Sequence, residues 1–210
     1  MMAQNSQDNH LHHSIYVLLT DTGTRFTRLI KEFTNAPYNH ASLALDAELN
    51  EVFSFGRKVA NNPLIAGFVR EDLYNGTFRQ FPNTRCKLLQ LRMTEQQHTD
   101  AIQIIRDFQK KQHMYRYNLI GLLGVLLKLD LKTDHAFFCS QFVAETLRES
   151  GLQLWDRPST LVTPNDFLEH PQFEAVYEGL LYDYQLLDRG KLSYTRTVPT
   201  TAIRMGKQTV

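Results

Sequence analysis

Short apolar runs of strand length, recurring along the chain and alternating with helical periodicities, constrain this sequence more than any other feature. SIYVLLT (14–20) is β-branched and apolar, the pattern of a buried strand. HASLALD (40–46) and EVFSF (51–55) follow, with Asp46 and Asn50 in the turn between them, so a hairpin is the economical reading. CKLLQLRM (86–93) reads as another strand, and alternation returns in EAVYEGLLYDYQLLD (174–188) as one or two more. Residues 56–85 hold two breaks containing Asn, Pro or Gly and no sustained period, which predicts a long loop with at most a short strand.

The helical signals are as local. Phe26, Leu29, Ile30 and Phe33 share one face, with Asp21 or Thr22 available to cap and Asn35 to stop the helix. Thr94 opens a capping box with Gln97, ahead of Ile102, Ile105 and Phe108 on one face and a helix running to about His113. Residues 118–128 are apolar almost all round, as in a buried helix. Thr163-Pro164-Asn165-Asp166 gives a cap, a proline at the first helical position and an acidic first turn. The sum is an α+β chain with an antiparallel sheet packed against helices. It forms one domain over residues 14–189, between a disordered tail (1–13) and a mobile one (190–210).

Composition narrows the function. With 42% hydrophobic and 21% charged residues the chain can bury a core, and its net charge of +1 gives no electrostatic reason to expect nucleic acid or an anionic membrane. The opening MMAQNSQDNHLHH lacks the apolar stretch of a signal peptide. The longest apolar run, 119–129, is interrupted by Lys128 and falls short of the roughly 20 residues a membrane span needs. The expectation is a soluble, cytoplasmic protein without stable membrane insertion. No cofactor or metal is expected. HLHH has no second cluster, and His135 has no second pair at ligand spacing. Gly121 and Gly124 sit inside an apolar helix with no Lys-Ser/Thr after them.

The chemistry-bearing stretch is HAFFCSQFVAETLRESG (135–151), an amphipathic helix closed by Gly151 and headed by Cys139. At a helix N-terminus the first-turn N–H groups and the macrodipole stabilise a thiolate, and one of those N–H groups can serve an oxyanion. A cysteine in an apolar helix is more often plain core. His40 changes that balance, because it opens a strand just after the turn-like APYN, with small Ala41 and Ser42 behind it. Cys86 begins a strand with no helix terminus beside it and reads as structural; one Cys86–Cys139 bridge stays open.

YNHASLALD followed by FFCSQFVAETL resembles the permuted branch of the NlpC-type, papain-like fold, in which the histidine strand precedes the cysteine helix. YiiX-like proteins and relatives of lecithin:retinol acyltransferase belong to that branch. LVTPNDF (161–167) also resembles the stretch these proteins carry after the cysteine helix. The resemblance covers about residues 14–170 and implies Cys139 as nucleophile and His40 as general base. It also makes Tyr38, Tyr117 and Ser140 candidate substrate contacts, although packing is the plainer role for Tyr117.

The families place a polar residue on the strand after the histidine strand, to hold the imidazole. Pairing Leu45 with Asn50 sets His40 opposite Phe55, with Ser54 and Gly56 beside it; a slip of a residue or two brings up Arg57. Glu51, the only carboxylate on that strand, stands by the turn, about 13 Å along the strand from the histidine. Ser54 is therefore the candidate orienter, able to accept from an imidazole N–H but not to balance its charge. The expected activity is a cysteine-dependent amidase or peptidase acting on a peptide or cell-wall-derived fragment. The alternative is a lipid- or acyl-binding or acyltransferase module with little turnover, and a third reading leaves both residues in the core. Phe53, Phe55, Phe68, Phe78 and Phe81 would form a cleft wall or ordinary core.

Overall fold

The computed structural model describes residues 13–23, 36–59, 62–117 and 136–197. Residues 24–35 of the helix expected between an Asp21 or Thr22 cap and Asn35, the apolar helix at 118–128 and His135 lie outside the described residues, as do 1–12 and 198–210. Six strands form one antiparallel sheet: β1 (His13–Asp21), β2 (His40–Ala44), β3 (Val52–Val59), β4 (Asn62–Glu71), β5 (Arg85–Met93) and β8 (Phe173–Leu180). Their order is β4-β3-β2-β1-β5-β8, and two short strands, β6 (Arg116–Tyr117) and β7 (Ala136–Phe137), pair in parallel as a second sheet. The helices are α1 (Glu95–Lys110), α2 (Cys139–Glu149), α3 (Pro164–Glu169) and α4 (Arg189–Thr197). The chain is mixed α+β, built on a six-stranded antiparallel sheet.

Both faces of the sheet are covered, and successive residues of β1 serve different faces. Val17 and Leu19 join a cluster with Phe142, Val143 and Leu147 of α2 and Ile105 and Phe108 of α1. Leu18 joins Leu88, Phe78, Leu181 and Leu187 in a second cluster. That double burial is why 14–20 is apolar without alternation. At the centre of the first cluster the Phe55 ring packs against Phe68, Phe108, Phe137 and Phe142 at 5.1 to 5.9 Å between centroids. Phe53, Phe55 and Phe68 are therefore core, not cleft wall.

The helix ends follow the sequence closely. Thr94 Oγ1 accepts from the Gln97 N–H (3.2 Å) while Gln97 Oε1 accepts from the Thr94 N–H (3.0 Å), the full capping box of α1. Helix α2 closes with Gly151 at φ +89° and the Leu152 N–H donating to Leu147 O (2.9 Å), a Schellman ending that a β-carbon would strain.

Three expectations are corrected. Residues 56–85 are not mainly loop, because β3 runs on to Val59 and β4 follows at Asn62–Glu71. Gly56 and Gly67, two glycines of that stretch, face each other across that ladder. A β-carbon on Gly67 would stand 3.2 Å from Tyr115 O, so this glycine marks a close approach of backbone, not a strand end. The β2–β3 register is displaced by one residue: Leu43 pairs with Phe53 and Ala44 with Val52, and the His40 ring lies beside Gly56, not Phe55. The turn takes the extra residue at Leu49, whose φ is +59°, while Asp46 accepts from the Asn50 and Glu51 N–H groups at 2.9 and 3.2 Å. Finally, α4 occupies residues expected to lie in the C-terminal tail.

Phe55→Ala would leave a cavity under α2 and β7, at a cost of about 3–5 kcal/mol in urea unfolding. An unchanged midpoint would show that this cluster does not hold the helix in place.

Candidate active site

Cys139 is the first residue of α2, and the helix is held from both sides. Phe142, Val143 and Leu147 bind it to the sheet. Gln141 Oε1 accepts from the Phe138 N–H (3.4 Å), and Ser140 Oγ donates to Val162 O (2.7 Å). Helix α2 packs across β2 and β3, so its N-terminus meets the start of β2, where His40 stands.

The sulfur hydrogen-bonds to the His40 ring and receives the backbone N–H groups of Ala41 and Ser140. His40 Nε2 also lies 3.4 Å from Glu71 Oε1. The same Glu71 oxygen accepts from Ser54 Oγ at 2.6 Å. The chain of contacts is therefore Cys139, His40, Glu71, Ser54. Cys139 is 4% exposed and the Glu71 side chain 9%, whereas the imidazole is 21% exposed, so solvent reaches the dyad past the ring.

Burial pushes the Cys139 thiol up, but the charge and hydrogen bond of His40, with the two N–H groups, bring it below the ordinary thiol value. Burial acts downward on His40, and the thiolate and Glu71 overcome it, raising the imidazole to about 10. At neutral pH both shifts favour a thiolate–imidazolium pair. Cys86 gives an internal comparison. It is as buried as Cys139 but has no basic partner, and burial followed by the Glu178 charge pushes its thiol up to about 12. Both cysteines are free, so the Cys86–Cys139 bridge is not formed.

Gly56 completes the arrangement. A β-carbon there would lie 3.1 Å from Ser54 Oγ, 3.3 Å from His40 Cε1 and 3.4 Å from Glu71 Oε1. A side chain at this position would push Ser54 and His40 aside by a few tenths of an ångström.

The expected site residues divide. Cys139 and His40 come together. Ser54 reaches the site through Glu71 and not as the partner of the imidazole. Glu71 was missed, because it ends β4, the strand read as loop, and reaches His40 across β3. Recognising FVRE as the end of a third antiparallel strand was the signal that leads to it. The Ser140 hydroxyl is buried and donates to Val162 O. Tyr38 is likewise core, with Oη donating to Glu178 Oε1 (3.0 Å), and burial and that carboxylate raise its pKa. Tyr117 pairs through its backbone with Phe137, two residues before Cys139. Phe78 faces His40, with ring centroids 6.5 Å apart.

Among the described residues no three His, Cys, Asp or Glu side chains converge as a metal site, and no helix is long and apolar enough to cross a membrane. No protein-family model matches the chain, and no curated protein matches it either.

Glu71→Gln would remove the charge that favours the protonated ring. In a Cys86→Ser background, alkylation of Cys139 at pH 7 should slow on the order of tenfold, and the alkaline limb of its pH profile should move down, as expected for a lost charge-assisted hydrogen bond. Gly56→Ala should act in the same direction by displacing the ring. Unchanged profiles in both variants would remove Glu71 from the site.

Proposed function

We propose that the chain is a cysteine-dependent hydrolase of the permuted NlpC-type, papain-like class, acting on an amide bond of a peptide or cell-wall-derived fragment. One observation carries the reading: the helix-terminal Cys139 is hydrogen-bonded to His40, which is in turn held by a part-buried carboxylate. Support for the class comes from the order of parts, with the histidine strand preceding the cysteine helix beside an antiparallel sheet.

The chemistry follows from those parts. The Cys139 thiolate forms a bond to the carbonyl carbon, and the oxygen, now negative, faces N–H groups at the start of α2. His40 gives its proton to the leaving nitrogen as the C–N bond breaks, leaving a thioester and a neutral imidazole. Neutral His40 then takes a proton from water, whose oxygen attacks the thioester carbon. The acid departs and the thiolate–imidazolium pair returns. Glu71 keeps the ring oriented through both proton transfers and offsets its charge, which a hydroxyl at Ser54 alone does not do.

The 4% exposure of Cys139 favours a second reading, an acyl-binding or acyl-transfer module in which the thioester forms and persists. Treatment with a p-nitrophenyl ester separates the two. Hydrolase action gives a burst, an acyl group mapped to Cys139 and continued turnover, lowered by about 10²–10⁴ in His40→Ala. A burst without turnover supports the acyl-carrying module. No acylation of Cys139 in the folded protein would contradict both.

A further inference from the structure

Towards the other end of β1 from the dyad, three tyrosines line a cavity of about 390 Å³ that the chemistry above does not use. Tyr16 stands four residues before Thr20, the partner of His40, which puts it roughly 13 Å along the strand from the histidine. Tyr177 comes from β8, two strands away, and Tyr184 from the segment after β8. The rings are held in place. Tyr184 Oη donates to Ala47 O (2.9 Å) and Tyr177 Oη to Leu180 O (2.7 Å), and the two ring centroids lie 4.8 Å apart. The Tyr177 ring also rests against Gly179, where a β-carbon would stand 2.7 Å from its hydroxyl. With both hydroxyls engaged by backbone carbonyls, these rings offer a ligand mainly their carbon atoms.

The rest of the lining carries no charge. Val176 and Leu186, 41% and 49% exposed, are two of the four large hydrophobic residues exposed among the described ones. Among the described residues no lysine or arginine lines the cavity. Arg189, the cation that acts on Tyr177, donates instead to the carbonyls of Tyr182, Asp183 and Tyr184. The neighbouring charge is negative. Ala47 lies between Asp46 and Glu48 in the β2–β3 turn, and after burial it is the charges of Glu48 and Asp46 that raise the Tyr16 pKa. Asp46 accepts from the N–H groups of Asn50 and Glu51, whereas the exposed Glu48 carboxylate has no partner among the described residues.

Aromatic rings attract a cation, most strongly one that gives up its water readily. A neutral apolar ligand would fill the cavity without using Glu48, and a primary ammonium is a strongly hydrated point charge. A quaternary ammonium fits both halves of the lining, with methyl groups against Val176 and Leu186 and positive charge against the rings and Glu48. We propose that Tyr16, Tyr177 and Tyr184 form a binding site for a quaternary ammonium group, with Glu48 supplying the balancing charge. Its trimethylammonium form is common to choline and to trimethyllysine, and the site takes either carrier through that group.

The test titrates choline and N-trimethyllysine into the full chain, read by calorimetry and by the tyrosine ring signals in NMR. The neutral isostere 3,3-dimethylbutan-1-ol isolates the charge. The expected result is saturable binding with Kd on the order of 1 mM or tighter, and an isostere about tenfold weaker than choline. Tyr177→Leu should weaken choline about three- to tenfold and Glu48→Gln about twofold, while Tyr16→Phe, which keeps the ring, should bind like the parent. Glu48 is exposed, so Glu48→Gln keeps the fold whatever becomes of the tyrosine variants. Either carrier bound above the isostere supports the proposal, and the tighter of the two names the source. No saturable binding of either carrier at ~20 mM, or an isostere as tight as choline, would overturn it. Binding that Tyr177→Leu and Glu48→Gln both leave unchanged would also overturn it. The readout is binding alone, so the proposal goes beyond the reading of Cys139 and stands or falls separately from it.

Discussion

The arrangement depends on one buried charge chain, in which Glu71 holds the imidazole of His40 and His40 holds the sulfur of Cys139. Each group is costly to bury alone, as the raised thiol of Cys86 illustrates. Together they offset one another: the imidazole stands between the sulfur and the carboxylate, Ser54 donates to the carboxylate, and the N–H groups of Ala41 and Ser140 favour charge on the sulfur. The outcome is a buried sulfur at which the thiolate is favoured, beside an imidazole that is itself partly exposed.

The fold makes that chain possible by bringing together three strands and one helix terminus. Residues of β2 and β3 pair at Leu43–Phe53 and Ala44–Val52, next to the turn, while the site forms at the other end of the hairpin. There the Ala41 N–H is directed to the sulfur, and the bare backbone of Gly56 leaves room for the His40 ring. The aromatic cluster around Phe55 fixes the depth of α2, and Phe137, part of that cluster, leads into Cys139 through Phe138. Packing in the core thus sets the position of the Cys139 sulfur.

Much of this was legible in the residues. The strand at 14–20, the capping box at Thr94, the glycine ending of α2 and the candidate pair Cys139 and His40 all follow from local patterns. What was not legible came from longer range. Gly56 and Gly67 give no sign of a ladder until the strands carrying them are laid side by side, and without β4 there is no route to Glu71. The hairpin register turned on Leu49 taking a left-handed conformation, which a leucine does not advertise. Tyr38 and Ser140 carry polar atoms suited to a substrate, but Glu178 and Val162 already engage them, and those partners lie 140 and 22 residues away in sequence.

The most direct measurement is the protonation state of His40 itself, followed by the ¹⁵N shifts of its ring from pH 5 to 11, in the parent and in Cys139→Ala. A thiolate–imidazolium pair held by Glu71 predicts a ring that stays protonated through neutral pH and loses its proton near 10. Removing the sulfur should bring that transition down towards the ordinary histidine range of about 6.5. A ring already neutral at pH 7 in the parent, with the same titration in Cys139→Ala, would contradict the account and return Cys139 to the core.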